Sequence, residues 1–212
     1  GLLAIAVPDC EPYITYGDIS MLFHEHWSYF RNITLVSTLQ IAGYNSIEVE
    51  KAGFGGLLYA KCIPGEKNHP FDYLQQLARD DRGATKKFIE RSQNNLQKLR
   101  NYLADADLCH ETVGIYCPGR ALNALGMIKS RGDIKFNLRF FDDNHLLHGQ
   151  YFPGFPQIIE SREALYREPV DRILVMSWTF GMQLAEVLKD NIGSSVCIET
   201  CEELFSIQEE IV

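Results

Sequence analysis

The stretch Thr112-Val113-Gly114-Ile115-Tyr116-Cys117-Pro118-Gly119-Arg120 opens the alternation of strands and helices that decides the fold. Its first five residues are mostly β-branched, aromatic or small, which predicts a short strand over 112–116. Pro118 and Gly119 predict a tight turn after this strand. A helix over 121–130 would begin at that turn and direct its first amides toward the carboxyl end of the strand.

Strands and helices continue to alternate downstream of this turn. The pattern predicts strands over 135–141, 173–176 and 195–199, and helices over 162–166 and 181–189. Because strand and helix alternate, we expect a parallel sheet with right-handed crossovers. The predicted fold class of this part of the chain is therefore α/β, with a Rossmann-like parallel sheet.

The turn and the residue that follows the second strand are candidates for binding a phosphorylated ligand. A helix start after Gly119 can receive a phosphate at its amides, with the Arg120 guanidinium nearby. Asp142 follows the strand over 135–141, where a dinucleotide-binding fold places its ribose-binding acid. The pattern G-x-G-x-x-G is absent here, so a simple strand-to-helix turn beside a solvated strand end is the alternative interpretation.

The first residues of the chain predict part of a different sheet. Residues 2–7 are apolar throughout, which is typical of a strand covered on both faces of a parallel sheet. Pro8 and Pro12 bracket a predicted loop. That loop would lie at the carboxyl end of the strand, where open α/β sheets keep their ligand sites.

A helix and a hairpin are predicted next. Asn32 or Thr34 can cap a helix that ends near Gly43. The alternating segment 46–50 and the more apolar segment 57–63 are separated by glycines, and this pattern predicts an antiparallel hairpin.

A long amphipathic segment separates the two α/β parts. From Phe71 to about Ala104 the apolar residues lie mostly on one helical stripe, and Gly83 can kink or split the helix. The predicted division of the chain has three parts: a first domain at 1–63, a linking helical segment at 64–110 and a C-terminal Rossmann-like domain at 111–212.

Composition argues against several classes of partner. The chain has 212 residues and a formal net charge of -8, which argues against nucleic-acid or anionic membrane partners. We find no apolar run long enough to span a bilayer. The six cysteines lack any C-x-x-C spacing, so a zinc site or a disulfide framework is not predicted and a reducing, cytoplasmic setting fits best. The composition favours no particular oligomeric state.

The window Phe23-His24-Glu25-His26-Trp27-Ser28-Tyr29-Phe30 concentrates groups that can move protons near neutral pH. A carboxylate beside a histidine can orient its ring and stabilise its protonated form. Aromatic neighbours can shape a pocket around a small organic substrate. The alternatives are an aromatic-rich helix start with one structural histidine, or a metal site at His24 and His26, for which no third ligand is evident.

The order of these parts resembles the C-terminal portion of S-adenosylmethionine-dependent sugar C-methyltransferases. The resemblance is carried first by a strand that ends in Val7-Pro8-Asp9 and by the block over 24–30. In the second α/β part, the segment over 114–119 looks like the family's glycine-bearing turn, and the run over 141–154 is similar to its acidic, Gly and Pro-Gly run. Ser177-Trp178-Thr179-Phe180 resembles its P-W-N-F element.

The resemblance implies an enzyme that methylates a carbon of a nucleotide-linked keto-deoxysugar or a related small molecule. It implies that His26, helped by Glu25, removes a proton alpha to a carbonyl before that carbon attacks the methyl group of S-adenosylmethionine. The expected substrate-binding residues are His24, Tyr29, Gly119, Arg120 and Trp178. The family tyrosine two residues before Glu25 is Phe23 in this chain, a departure that removes a hydroxyl.

The resemblance also implies parts that this sequence does not contain. The family has an N-terminal zinc-binding region and a glycine-rich loop with an acidic strand end for S-adenosylmethionine, and neither pattern occurs here. Gly1 would fall at about the fifth strand of the methyltransferase sheet, and the hairpin over 46–63 would be its last two strands. The chain would then be the back half of an enzyme, inactive alone. The alternative is a non-catalytic nucleotide-sugar-binding module formed by 112–212.

Overall fold

The computed structural model describes residues 1–22, 27–52, 56–65, 71–130, 132, 137–193 and 195–205. The chain divides into two compact units, 1–93 and 94–212. Within these described ranges each unit has its own sheet, with three strands in the first and five in the second.

The first unit is a small antiparallel sheet with helices. Its strands are β1 (Leu3–Pro8), β2 (Tyr44–Lys51) and β3 (Leu57–Pro64). Its helices are α1 (Glu11–Tyr16) and α2 (Asn32–Ile41), while α3 (Phe71–Leu108) begins in this unit and ends in the second. The strand order is β1-β3-β2, and both pairings are antiparallel. The predicted hairpin is thus confirmed.

The core of the first unit lies between α2 and one face of the sheet. Leu35 and Leu39, one helical turn apart, belong to the same buried cluster as Leu58 and Ala60, which are alternate residues of β3. This spacing follows the helical period of 3.6 and the strand period of 2. The helix ends close to Gly43, as the sequence predicts.

The pairing expected for residues 2–7 is wrong. Strand β1 pairs antiparallel with β3, and its residues alternate between half-buried and exposed positions instead of being covered on both faces. A continuous apolar run shows that both faces of a strand tolerate apolar side chains. It carries no information about the direction of the neighbouring strand, which depends on distant residues.

The loop expected between Pro8 and Pro12 contains the start of α1 instead. Pro12 lies in the first turn of this helix, where a missing N–H costs no intrahelical hydrogen bond. The side chain of Asp9 accepts a hydrogen bond from the Glu11 amide at 3.0 Å. Pro12 therefore marks a helix start, which the sequence analysis does not predict, while Pro8 is the last residue of β1.

Two other helices differ in detail from the predictions. The cap of α2 is Arg31 rather than either predicted residue, and Thr34 Oγ1 accepts the Arg31 amide at 2.9 Å. Helix α3 continues through Gly83 and ends at Leu108 rather than near Ala104.

The second unit is a parallel α/β sheet. Its strands are β4 (Val113–Tyr116), β5 (Leu138–Phe141), β6 (Ile159–Glu160), β7 (Arg172–Val175) and β8 (Cys197–Thr200). Its helices, after the end of α3, are α4 (Leu122–Lys129), α5 (Arg162–Arg167), α6 (Gly181–Ile192) and α7 (Cys201–Phe205). The strand order is β6-β5-β4-β7-β8, and every pairing is parallel. The predicted parallel sheet with helices, Rossmann-like in general kind, is confirmed.

Close packing around β4 explains the first glycine of the opening stretch. All four residues of β4 are buried. A Cβ on Gly114 would lie 3.0 Å from Val170 Cγ2 and 3.1 Å from Phe141 Cε2. The absence of a side chain at this position therefore serves packing, because the central strand has no room for one.

The strand order creates a switch point between β4 and β7. From β4 the chain crosses to β5 and β6 on one side, and then returns to β7 and β8 on the other side. The loops after β4 and β7 therefore diverge at the carboxyl edge of the sheet. In open α/β sheets, ligands bind in the crevice at such a point.

Candidate functional site

Much of the window rich in proton-transfer groups is not described by the structure. The predicted residues that lie outside the described residues are Phe23, His24, Glu25 and His26. Of the remainder, the Trp27 side chain is 98% exposed, and Tyr29 is also exposed. Phe30 forms a parallel bridge with Asp9, and its carbonyl accepts the Cys10 amide at 2.8 Å. The end of the window is therefore bound to the residues that follow β1.

Arg31 fixes the same segment by ion pairs. Its Nε donates to Glu11 Oε2 at 2.6 Å, and its Nη1 donates to Asp81 Oδ1 at 3.1 Å. The hydrogen bond with Glu11 is the main reason that the pKa of Arg31 is raised. Since its partners lie on α1 and α3, Arg31 connects both helices to the start of α2.

A buried carboxylate lies beside this anchor. The Asp9 side chain is 3% exposed, and its Oδ2 lies 3.4 Å from Lys51 Nζ. Burial is the main cause that raises the pKa of Cys10 to about 12, and the charges of Asp9 and Glu11 act in the same direction. Cys10 is therefore a protonated thiol at neutral pH, so its environment does not favour a nucleophilic role.

Of the other described site predictions, Gly119, Arg120 and Trp178 lie on the two loops that flank the switch point of the second unit. Asp142 lies elsewhere, directly after β5, where its Oδ1 accepts the Asn144 amide at 2.9 Å. Gly119 and Arg120 belong to a short 3-10 helix directly after β4, and both are exposed. The Met176 amide donates to the Tyr116 carbonyl at 2.9 Å, so the loop after β7 starts beside the loop after β4. Trp178 is two residues further along. The structure thus brings Gly119, Arg120 and Trp178 to one edge of the sheet.

The loop after β4 turns sharply into a helix start. Cys117 adopts φ 56° and ψ 55°, a left-handed conformation that is uncommon for residues other than glycine. Its amide donates to the Phe141 carbonyl at 2.9 Å. Helix α4 then begins at Leu122, and the first amides of a helix carry partial positive charge. A Cβ on Gly119 would meet no atom within 4 Å, so there is open space beside this loop.

The loop after β7 leads to a second helix start. Ser177 Oγ accepts the Phe180 amide at 3.2 Å, and α6 begins at Gly181. The Trp178 ring is half-buried and lies 6.1 Å from the Phe205 ring, with the two planes tilted. Two helix starts and an aromatic side chain therefore lie next to the switch point.

A hydrogen-bonded cluster that the sequence did not predict lies at the same edge. We call Tyr116, Asp143 and Arg162 the carboxyl-edge cluster. The Tyr116 hydroxyl donates to Asp143 Oδ1, and Arg162 Nε donates to the Tyr116 hydroxyl at 2.8 Å and to Asp143 Oδ1 at 2.9 Å. Arg162 Nη2 also donates to Asp143 Oδ2. Burial is the main cause that raises the pKa of Tyr116, and its hydrogen bond with Asp143 acts in the same direction.

Charged groups of both signs act on the Cys117 thiol. Burial is the main cause that raises the pKa of this thiol to about 12, with the carboxylates of Asp142 and Asp143 acting in the same direction. The guanidinium groups of Arg162 and Arg120 oppose the shift. Cys117 is therefore protonated at neutral pH. The four charged groups act together near the loop after β4, and their formal charges cancel.

Comparisons with known proteins add no family. No family model matches the chain, and a search of curated proteins finds no matching relative. Within the described residues, no group of three His, Cys, Asp or Glu side chains could hold a metal ion. Of the helices in the described ranges, none is both long enough and apolar enough to cross a membrane.

Proposed function

We propose that the chain is the C-terminal part of an S-adenosylmethionine-dependent C-methyltransferase that acts on a nucleotide-linked keto-deoxysugar or a related substrate. In this proposal the unit 94–212 binds the nucleotide. One observation carries that assignment: Gly119, Arg120 and Trp178 lie on the two loops that flank the switch point of a parallel sheet. Doubly wound folds bind nucleotides at such points.

The chemistry of these loops suits a diphosphate. The starts of α4 and α6 offer amides with partial positive charge, and Arg120 adds a guanidinium that matches phosphate oxygens in geometry. The aromatic ring of Trp178 offers an apolar surface for the uncharged part of the ligand.

Two features of the first unit support the methyltransferase assignment. One is the strand order β1-β3-β2, and the other is the end of the window over 23–30, which is bound to the residues that follow β1. The resemblance predicts that β1 is the fifth strand of a larger sheet and that β2 and β3 are its last two. Within the described residues only β3 pairs with β1, so the other edge of β1 is open to a further strand.

The proposed chemistry of this chain is removal of a proton by His26. Neutral His26 takes a proton from the carbon alpha to a carbonyl, and the electron pair left behind forms an enolate. Glu25 orients the ring and stabilises its protonated form. The sequence lacks the glycine-rich loop that would hold S-adenosylmethionine, so these residues do not fit that cofactor and no step is assigned to it.

A second candidate is a non-catalytic nucleotide-sugar-binding module. The same switch-point geometry favours it, because the binding features of the second unit need no contribution from His26.

Two measurements test the proposal and separate the candidates. Calorimetric titration of the 212-residue chain with a panel of nucleoside diphosphates should reveal binding, and no binding by any of them would contradict both candidates. The second measurement uses the longer protein to which the chain is proposed to belong. It follows solvent deuterium exchange at the alpha carbon of a nucleotide-linked keto-sugar.

The exchange should depend on His26. His26→Ala should slow it by about 10²–10⁴-fold, as expected for loss of a general base, and His24→Ala is the matched control. Exchange should also fall as the pH drops through the pKa of the histidine, because the base must be neutral. Binding without exchange would favour the module, and an effect of His24→Ala alone would identify the other histidine as the base.

A further inference from the structure

We propose that the carboxyl-edge cluster of Tyr116, Asp143 and Arg162 binds the pentose hydroxyl groups of the nucleotide. This inference rests on the proposed function and adds a second subsite to it. The diphosphate lies at the loop after β4, and the pentose lies beside it, at the end of β5.

The sheet register brings the two subsites together. Tyr116 is paired with Phe141 at the carboxyl ends of β4 and β5, and the Cys117 amide donates to the Phe141 carbonyl. Asp143 is two residues beyond Phe141. In the proposal, a ligand with its phosphates at the start of α4 has its next group on the β5 side of the loop, where Asp143 lies.

The cluster has unused donors and exposed acceptors. Among the described residues, Arg162 donates through Nε and Nη2, and none of them accepts a hydrogen bond from Nη1. The Asp143 side chain is 46% exposed and that of Arg162 is 26% exposed. A hydroxyl group both donates and accepts, so it can donate to a carboxylate oxygen of Asp143 and accept from Nη1 of Arg162.

The charge of the cluster favours hydroxyls over phosphates. Asp143 offsets the positive charge of Arg162, so the pair offers a phosphate little net attraction. Arg120 is the charged residue of the loop over 117–121. Because the formal charges near that loop cancel, its donors decide the assignment. The Arg120 guanidinium and the first amides of α4 match phosphate oxygens, so we assign the anionic part of the ligand to the loop and the neutral part to the cluster.

The cluster is also held in place before any ligand arrives. The Tyr116 side chain is fully buried, and its hydroxyl fixes one oxygen of Asp143, while two nitrogens of Arg162 fix both oxygens. Groups that are already oriented lose less conformational entropy when a ligand binds.

A structural role is the competing explanation, because the cluster also connects the end of β5 to the start of α5. The amino edge of the same sheet provides a matched control. There Arg172 Nε donates to Glu111 Oε2, and the guanidinium lies 5.6 Å from the Tyr102 ring. This group also combines an arginine, a carboxylate and a tyrosine, but it lies at the edge opposite the switch point.

The experiment compares three probes on the 212-residue chain by calorimetry. They are a ribonucleoside diphosphate, chosen as the tightest of the four common bases, its 2′,3′-dideoxy counterpart and inorganic pyrophosphate. The wild-type chain should bind the dideoxy compound about 10- to 100-fold more weakly than the ribonucleotide, as expected for lost hydrogen bonds to charged groups. Asp143→Asn should bring this ratio close to 1 without weakening pyrophosphate binding, because the loss of this carboxylate removes no contact with the phosphates.

Control variants separate binding from folding. Glu111→Gln should leave the ratio at its wild-type value. Tyr116→Phe removes only a hydroxyl and should lower the ratio partly, so it replaces Asp143→Asn if that variant does not fold. Equal wild-type affinity for the ribonucleotide and the dideoxy compound, or an unchanged ratio in Asp143→Asn, would overturn the inference while nucleotide binding stands. If neither nucleotides nor pyrophosphate bind, the proposed function fails with it.

Discussion

Arg120 contributes the positive charge of the loop after β4, and its removal tests the phosphate subsite. Arg120→Ala should weaken binding of a nucleoside diphosphate by about 10- to 100-fold, because a hydrogen bond to a charged group contributes about 1.5–3 kcal/mol. The affinity of Arg120→Lys should lie between the affinities of wild type and Arg120→Ala, since an ammonium cannot make the bidentate contact of a guanidinium. Calorimetric titration measures all three.

Arg167→Ala is the matched control for Arg120→Ala. Arg167 is an exposed arginine at the end of α5, so its removal changes the net charge of the chain by the same amount. It should leave the affinity unchanged. Equal affinities of Arg120→Ala and wild type would show that the phosphates bind elsewhere.

The sequence identifies site residues that are neighbours along the chain and misses those that only the fold brings together. Gly119 and Arg120 stand next to each other in a turn that proline and glycine make recognisable. The partner of Asp143, by contrast, is Arg162, nineteen positions away, and only the parallel pairing of β4, β5 and β6 brings the two together. Nothing local in the sequence marks such a pair. The roles of His24, Glu25 and His26 remain predictions.

At the scale of single elements, two glycines allow a paired test. One substitution tests the packing around a strand, and the other tests the helix propensity of an exposed position. Gly114→Ala in β4 should destabilise the protein by about 1–3 kcal/mol, since its Cβ would press against Val170 and Phe141 in a fully packed core. Gly126→Ala in α4 should stabilise it by up to about 1 kcal/mol, because a Cβ there meets no atom within 4 Å and alanine favours the helix.

Unfolding in urea, followed by circular dichroism, measures both changes in the free energy of unfolding. The two substitutions add the same methyl group. Changes of opposite sign in the free energy of unfolding must therefore come from the surroundings of the two positions. Destabilisation by both variants to the same extent would contradict the packing described around β4.

The sequence predicts a strand or helix where the segment is long enough to show a hydrophobic period. Most strands and helices of the second unit follow the alternation that starts at Thr112, and the hairpin of the first unit follows its glycines. Strand β6 and helix α7 are too short to show a period, and the sequence does not predict them. The parallel pairing predicted for β1 is wrong because the direction depends on β3, whose paired residues are 49 to 59 positions away in sequence.

At the scale of the whole molecule, we expect the two units to differ in the ligands that they bind. Among the described residues, the second unit has a five-stranded parallel sheet with a switch point, whereas the first unit has a three-stranded sheet in which β1 pairs only with β3. The proposed function assigns the nucleotide to the second unit and assigns proton removal to the first. The binding of different ligands by the 212-residue chain can therefore be tested independently of catalysis.

The 212-residue chain should bind a nucleoside diphosphate but should not bind S-adenosylmethionine tightly. Its sequence has no glycine-rich loop followed by an acidic strand end with which to hold that cofactor. A ligand that binds only the folded chain raises its stability by RT ln(1 + [L]/Kd), about 2.7 kcal/mol at one hundred times Kd. A thermal-shift series should therefore show a rise in Tm with the diphosphate and none with S-adenosylmethionine at the same concentration, with calorimetry as the second measurement. A micromolar Kd for S-adenosylmethionine would contradict this expectation and, with it, the proposal that the cofactor site belongs to a preceding part of a longer enzyme.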